Sequence, residues 1–295
     1  MTASDSMADA QSLDVIATGG VQAILRRPKW ATLPVLLGGS VLLFWIITAL
    51  TVQWWAPHDP IAIVDTRLLG PSLDHPLGTD ALGRDVLSRT LHGATASMPV
   101  AAGVIVSALL IGGTIGAVAG FFGGWTDAVL MRFTDMMMAF PPILLAMVIA
   151  ATLGVGIRNA AIAMTLVWWP GYARLLRGQF LAVKNYDHVI AAESLGAGRT
   201  RLMLRHILPI AFTPLLVLST MDFGGVVLLA ASLSFIGLGA VPPYPEWGSM
   251  ISEGSRRFYD WWIAMGPGIA ILTVVLAANF IGDGVRDLLD PRTKS

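Results

Sequence analysis

Residues 98 to 122 read Met98-Pro-Val-Ala-Ala-Gly-Val-Ile-Val-Ser-Ala-Leu-Leu-Ile-Gly-Gly-Thr-Ile-Gly-Ala-Val-Ala-Gly-Phe-Phe122. They lie inside a longer stretch, from Arg89 to Asp127, that holds no other charged side chain. A charge at the centre of a spanning helix costs about 2.5–3.5 kcal/mol, and a span needs about 20 apolar residues. The stretch meets both conditions. Working outward, the intervals Lys29 to Asp59, Asp135 to Arg158 and Asp260 to Asp283 are also free of charge, and Arg205 to Glu246 contains only Asp222. Arg158 to Arg174 is shorter, but Arg174 and Arg177 can snorkel to an interface from a helix end. Six spans are therefore expected, near 32–53, 98–122, 128–152, 159–179, 207–230 and 261–282. The expected fold is all-α, a polytopic membrane protein with six transmembrane helices.

Composition agrees. Of 295 residues, 55% are hydrophobic and 13% charged, with a mean hydropathy of +0.70; a soluble domain carries about 25% charged residues. Nineteen basic residues balance 19 acidic ones, so no nucleic-acid footprint is expected. With no cysteine, disulfides, thiolate zinc sites, iron–sulfur clusters and cysteine nucleophiles are excluded together. The first apolar run follows a polar lead and the cluster Arg26, Arg27, Lys29, and ends at Trp54-Trp55-Ala56-Pro57. It is too long for a cleaved signal and reads as a retained helix.

With both termini cytoplasmic, thirteen of the 19 Lys and Arg residues fall inside, as the positive-inside rule requires. Trp30 and Trp125 then mark the inner edge, and Trp54, Trp55, Trp261 and Trp262 the outer one. The chain divides into a cytoplasmic N-terminal segment (1–30), a first transmembrane helix (31–56), an external loop (57–97) and a five-helix core (98–295) containing a cytoplasmic loop at 180–208. Long loops in compact proteins tend to carry function.

The cytoplasmic loop contains Ala191, Ala192 and Gly196, then Leu208-Pro209. Small residues permit close helix approach, and glycine ends a helical turn. Leu202, Leu204 and Ile207 alternate with Arg199, Arg201 and Arg205, as on a membrane surface. This spacing resembles the EAA loop of ABC importer membrane subunits, with Ile190 at the place of the usual glutamate and His206 at that of the usual isoleucine. Further stretches follow in order: His75-Pro-Leu-Gly-Thr-Asp-Ala-Leu-Gly-Arg-Asp85, Phe121-Phe-Gly-Gly-Trp125, Ala139-Phe-Pro-Pro142, Leu233-Ser-Phe-Ile-Gly-Leu-Gly239, Pro242-Pro-Tyr-Pro-Glu-Trp-Gly248 and Gly282-Asp-Gly-Val-Arg-Asp287. Together they resemble the C-type permease subunit of dipeptide, oligopeptide and nickel ABC importers over about Arg26 to Arg292.

The resemblance implies a type I ABC importer permease fold. It also implies a heterodimer with a paralogous B-type permease, two cytoplasmic ABC ATPase modules and an external substrate-binding protein. Ala191, Ala192, Glu193, Gly196, Leu208 and Pro209 would then couple to the ATPases. The implied cargo is a dipeptide or oligopeptide; nickel or another small solute is the alternative. Ala230 stands where relatives usually carry a glutamate, so a pore role of that glutamate does not transfer.

No lysine follows a Gly-x-x-x-x-Gly run, so no P-loop is present. The chain is expected to hold no cofactor and no catalytic residue, with ATP and Mg²⁺ bound by partner subunits. Asp222 is a candidate for the translocation path, with Asp135 and Met138, because intramembrane carboxylates usually face a bundle interior or a water-filled path; a hydrogen bond to a neighbouring helix is the alternative. Asp80, Arg84 and Asp85 form either an external docking surface or a salt-bridged turn. His58, His75, His92, His188 and His206 show no ligand spacing, and no metal site is expected. An ion-coupled transporter would require repeats with midplane ligands, and an intramembrane hydrolase paired catalytic groups; neither pattern is seen.

Overall fold

The computed structural model describes residues 33–289. The N-terminal segment 1–30, both termini and their charges lie outside the described residues. The helices are α1 (Leu33–Trp55), α2 (Val86–Phe122), α3 (Gly124–Met138), α4 (Pro142–Leu153), α5 (Ile157–Val183), α6 (Asp187–Ser194), α7 (Arg199–Arg201), α8 (Leu208–Phe235), α9 (Trp247–Ser255) and α10 (Trp262–Leu289). Leu202–Ile207, between α7 and α8, is π-helical. Among the described residues the β pairing is one isolated bridge, Thr79 to Asp85.

Four helical stretches are long and apolar enough to cross a membrane: α1, α2, Arg199–Phe235 and α10. The expected span 128–152 is not one helix. It breaks between α3 and α4 with an 88° bend, and the pair counts as a fifth span only if taken together. Pro141 and Pro142 cause the break: neither has an N–H to donate, Pro141 itself is extended with ψ at 126°, and a proline disfavours the helical region for the residue before it. The helix over the expected 159–179 span is present as α5, at 27 residues. Arg158, Arg174 and Arg177 dilute its apolar character, so composition does not make it a sixth span.

A glycine row brings α2 and α5 together. Gly112, Gly116 and Gly120 follow one another at four-residue intervals on α2, which places them on one face. A Cβ at Gly112 would lie 2.3 Å from the Trp169 carbonyl, one at Gly116 2.4 Å from the Ala173 carbonyl, and one at Gly120 2.6 Å from the Phe180 Cβ. The numbers rise together on both helices, so the pair runs parallel. Small residues that let backbones touch are the usual means of helix association where lipid removes the hydrophobic drive. Antiparallel contact fixes α1 against α10: Gly38 meets Ala277, Trp45 donates to Thr273 Oγ1 at 3.0 Å, and Gly284 meets Val35.

The short helix α9 is wedged into the loop end of this bundle. Trp247 is fully buried, donates to the Thr90 carbonyl at 2.9 Å and stacks edge-on against Trp45. Gly93 leaves room for its ring.

Candidate functional site

Two regions at opposite ends of α2 and α5 hold the residues singled out by sequence. The first is the 180–208 loop. Gly196 N–H donates to the Glu193 carbonyl at 2.9 Å, and Ala197 N–H reaches back to the Ala192 carbonyl at 3.0 Å. These are the paired bonds of a Schellman cap, which requires a left-handed residue at Gly196, where φ is +83°,. The Ala-Ala-x-x-x-Gly spacing is thus the end of α6 written in sequence.

The two alanines face different ways. Ala192 is half-buried and packs with Val189, Leu202 and Ile207 in the core at this end of the bundle, whereas Ala191 is exposed. The shared small-residue face expected of the pair is therefore split. Solvent instead meets Ile190 and Leu195, the latter 89% exposed, beside Glu193. Isolated exposed leucines are common, but an apolar pair on an otherwise polar loop marks a contact surface.

Leu208 and Pro209 sit where the loop enters α8. Pro209 has no N–H to offer the Arg205 carbonyl and its ring presses on that group. The turn before it widens, and Leu208 N–H bonds to the Met203 carbonyl, five residues back,.

On the neighbouring helices the arginines expected to snorkel are ion-paired. Arg177 holds Asp127 through two bonds, of 2.7 and 2.6 Å, and Arg174 holds Asp135. Both pairs pin α3 to α5. Asp222, on α8, is partly buried and accepts a 3.0 Å bond from Trp168 Nε1 of α5. The hydrogen bond to a neighbouring helix, one of the two arrangements open at sequence level, is thus present. Met138 is 44% exposed at the end of α3, just before the break.

The second region is the 57–85 loop, where Asp80, Arg84 and Asp85 are 1, 5 and 1% exposed. Asp80 Oδ2 accepts from Arg84 Nε at 2.6 Å and lies 3.3 Å from Arg89 Nε. Arg84 Nη2 reaches Glu253 Oε2 at 3.4 Å, and Arg89 Nη1 donates to the Pro60 and Pro243 carbonyls. Asp85 caps α2 by accepting from Ser88 N–H at 2.7 Å,. The three side chains turn inward. The arrangement is the salt-bridged turn, tied to α9 and the 242–243 segment, and their own charges do not form an exposed docking face.

Sequence spacing could reach only the Asp80–Arg84 pair, four residues apart; Glu253 arrives from 169 residues away. Above the network lies a cavity of 720 Å³ whose lining includes Arg84, Arg89, Glu253, Arg256 and Arg257.

Glu246 was also missed. It is 2% exposed and caps α9, accepting from Gly248 and Ser249 N–H at 2.9 Å each. Burial pushes its carboxyl above the ordinary range, against those two backbone donors,. A carboxylate directly before Trp-Gly-Ser was the available signal for a helix start.

Residues 112–295, more than half of the chain, match the family described as binding-protein-dependent transport system inner membrane component. The chain belongs to this family. The permease is 42% identical over 254 residues to the probable D,D-dipeptide transport system permease protein DdpC of Escherichia coli K12, with 85% of each chain covered. It is 40% identical to the dipeptide transport system permease protein DppC of Alkalihalophilus pseudofirmus, over 92% of this chain and 88% of that one. Its identity to the glutathione transport system permease protein GsiD of Escherichia coli O6:K15:H31 is 44%, over 84% and 83% of the two chains. Family and apolar helices together make it a multi-pass membrane protein and a transport component.

Proposed function

We propose that this chain is the C-type permease subunit of an ATP-driven importer of dipeptides or short oligopeptides, forming half of the translocation path. The observation that carries the coupling reading is α6. It is capped at Gly196 and presents Ile190, Ala191 and Leu195 outward, a short rigid knob suited to a groove on an ATPase. Two ATPase modules supply ATP and Mg²⁺ chemistry from the cytoplasm, and a paralogous B-type permease supplies the other half of the path. An external substrate-binding protein docks at the arginine-lined end, on a platform that Asp80, Arg84 and Asp85 stiffen from within. The charge asymmetry supports the orientation: the 180–208 loop and both termini are cytoplasmic, in the cytoplasmic (inner) membrane.

ATP-bound closure of the ATPases draws the two coupling helices together and opens the path outward; hydrolysis reverses it. Asp222, Asp135 and Met138 are the path-facing candidates. The relatives' names, dipeptide, D,D-dipeptide and glutathione, favour a peptide cargo over nickel or another solute.

The test uses the chain co-assembled with its partner subunits in proteoliposomes. Ile190→Asp and Leu195→Asp leave the core intact and place a charge on the docking knob. An interface cost of about 1–3 kcal/mol lowers ATPase occupancy by about one to two decades. Labelled-dipeptide uptake and substrate-stimulated hydrolysis are expected to fall together, with Thr200→Asn as the neutral control. Unchanged coupling in both variants refutes the docking assignment; uptake of a nickel chelate in place of dipeptide refutes the cargo.

A further inference from the structure

We infer that His58, His75 and Asp85 form a binding site for a late first-row divalent metal ion in the 57–85 loop. Sequence spacing predicts no such site, because the three residues share no helix; the folding of the loop back onto the start of α2 brings them together. One nitrogen of each imidazole and one carboxylate oxygen lie within 4.8 Å of one another. His75 and Asp85 are buried, and the His58 side chain is 32% exposed at the rim.

The second observation is a nitrogen without a partner. His58 Nδ1 is buried and makes no hydrogen bond. It points toward Asp85 Oδ2 at 3.9 Å, beyond hydrogen-bond range. Buried polar atoms are nearly always satisfied, and an exception calls for an ion, a water or a role.

The surroundings hold the ligands in place without the ion. His58 N–H donates to Ser88 Oγ at 3.0 Å, and His75 N–H donates to Ser72 Oγ at 3.0 Å. Asp85 is fixed by Ser88 N–H, and His75 Nδ1 already lies 2.9 Å from Asp85 Oδ1. On the far side of that ring, His75 Nε2 faces Asp65 Oδ2 at 3.6 Å, the kind of outer carboxylate that orients a metal-bound imidazole.

Two imidazoles and a carboxylate suit zinc or nickel, and leave a fourth position open at the exposed rim. Ligand atoms about 2.1 Å from a tetrahedral ion stand about 3.4 Å apart. Closing the set therefore needs His58, the least buried of the three, to move inward by about 1 Å. The ion would join the segment after α1 to the first turn of α2. This inference is independent of cargo and of ATPase coupling.

The test uses the full chain assembled with its partner permease in detergent. The complex is stripped with a chelator and titrated with Zn²⁺ against a chromophoric competitor. His58→Ala removes one ligand at the loop rim, and His92→Ala serves as a histidine control outside the cluster. The wild type and His92→Ala are expected to bind one more Zn²⁺ per chain than His58→Ala, or to bind it at least tenfold more tightly. Zn²⁺ should also raise the melting temperature of the wild type and not that of His58→Ala. Superimposable titrations and equal melting shifts for wild type and His58→Ala would overturn the site.

Discussion

Replacing Gly116 with alanine adds one methyl group in the middle of the glycine row where α2 and α5 touch. That methyl carbon would stand 2.4 Å from the Ala173 carbonyl oxygen and 3.0 Å from the Leu176 Cβ. The nearer obstacle is backbone and cannot rotate away, so the helices must part by about 1 Å to restore ordinary contact. Overpacking of this kind costs about 1–3 kcal/mol. Alanine recovers about 1 kcal/mol of helix propensity over glycine, leaving a net destabilisation of up to about 2 kcal/mol. Gly103 supplies the contrast on the same helix: nothing lies within 4 Å of a Cβ there. Gly103→Ala should therefore match or exceed wild-type stability. The assay is thermal unfolding of the detergent-solubilised complex, followed by loss of monodisperse chain on size exclusion. Gly116→Ala should lower the midpoint, and Gly103→Ala should leave it unchanged or raise it. A Gly116→Ala chain as stable as Gly103→Ala refutes the claim that backbone contact between α2 and α5 sets their separation.

Three further outcomes are expected. A single cysteine at Ser194, in a chain with no native cysteine, should resist impermeant maleimide in intact cells and react once the membrane is opened; labelling in intact cells reverses the topology. Asp222→Asn keeps an oxygen acceptor for Trp168 Nε1, so the complex should assemble normally while peptide uptake falls; a degraded complex would assign Asp222 to packing alone. The folded-state pKa of Glu246 is raised, so its contribution to stability is full below the unfolded carboxyl value of about 4.3 and is lost as pH rises through the folded value. Melting temperature of the wild type should decline across that window and that of Glu246→Gln should stay flatter; parallel curves would remove the burial argument.

Charge punctuation located α1, α2, α8 and α10 because a charge inside a lipid-spanning helix is expensive over its whole length. It could not see the break at Pro141-Pro142, since hydropathy counts side chains and the break is a shortage of backbone donors. The same reading began the second helix at residue 98, treating Arg89 as loop. The helix starts at Val86 and buries Arg89, which is tolerable because Asp80 and two carbonyls meet the guanidinium. The end of α6 was legible from Gly196, a local conformational demand. The split between Ala191 and Ala192 was not, because it depends on where Leu202 and Ile207 return in space. His58, His75 and Asp85 were invisible for the same reason, being brought together by a loop with no periodicity to read.

The widened turn at Leu202–Ile207 has a bearing on how this loop tolerates change. A π-helical turn holds one residue more than an α-helical one, and each α-helical residue advances about 100° around the axis. Loss of a single residue between 202 and 207 would let the turn tighten into ordinary helix and leave the segments on either side near their present orientation,; one residue more, with the slack already used, would swing everything before it by about that angle. Ile190 and Leu195 would then face a different quarter of the compass, with every side chain of α6 unchanged. Substitutions along the knob alter what a partner feels; an insertion in these six residues alters where the partner must stand, and a single deletion does not.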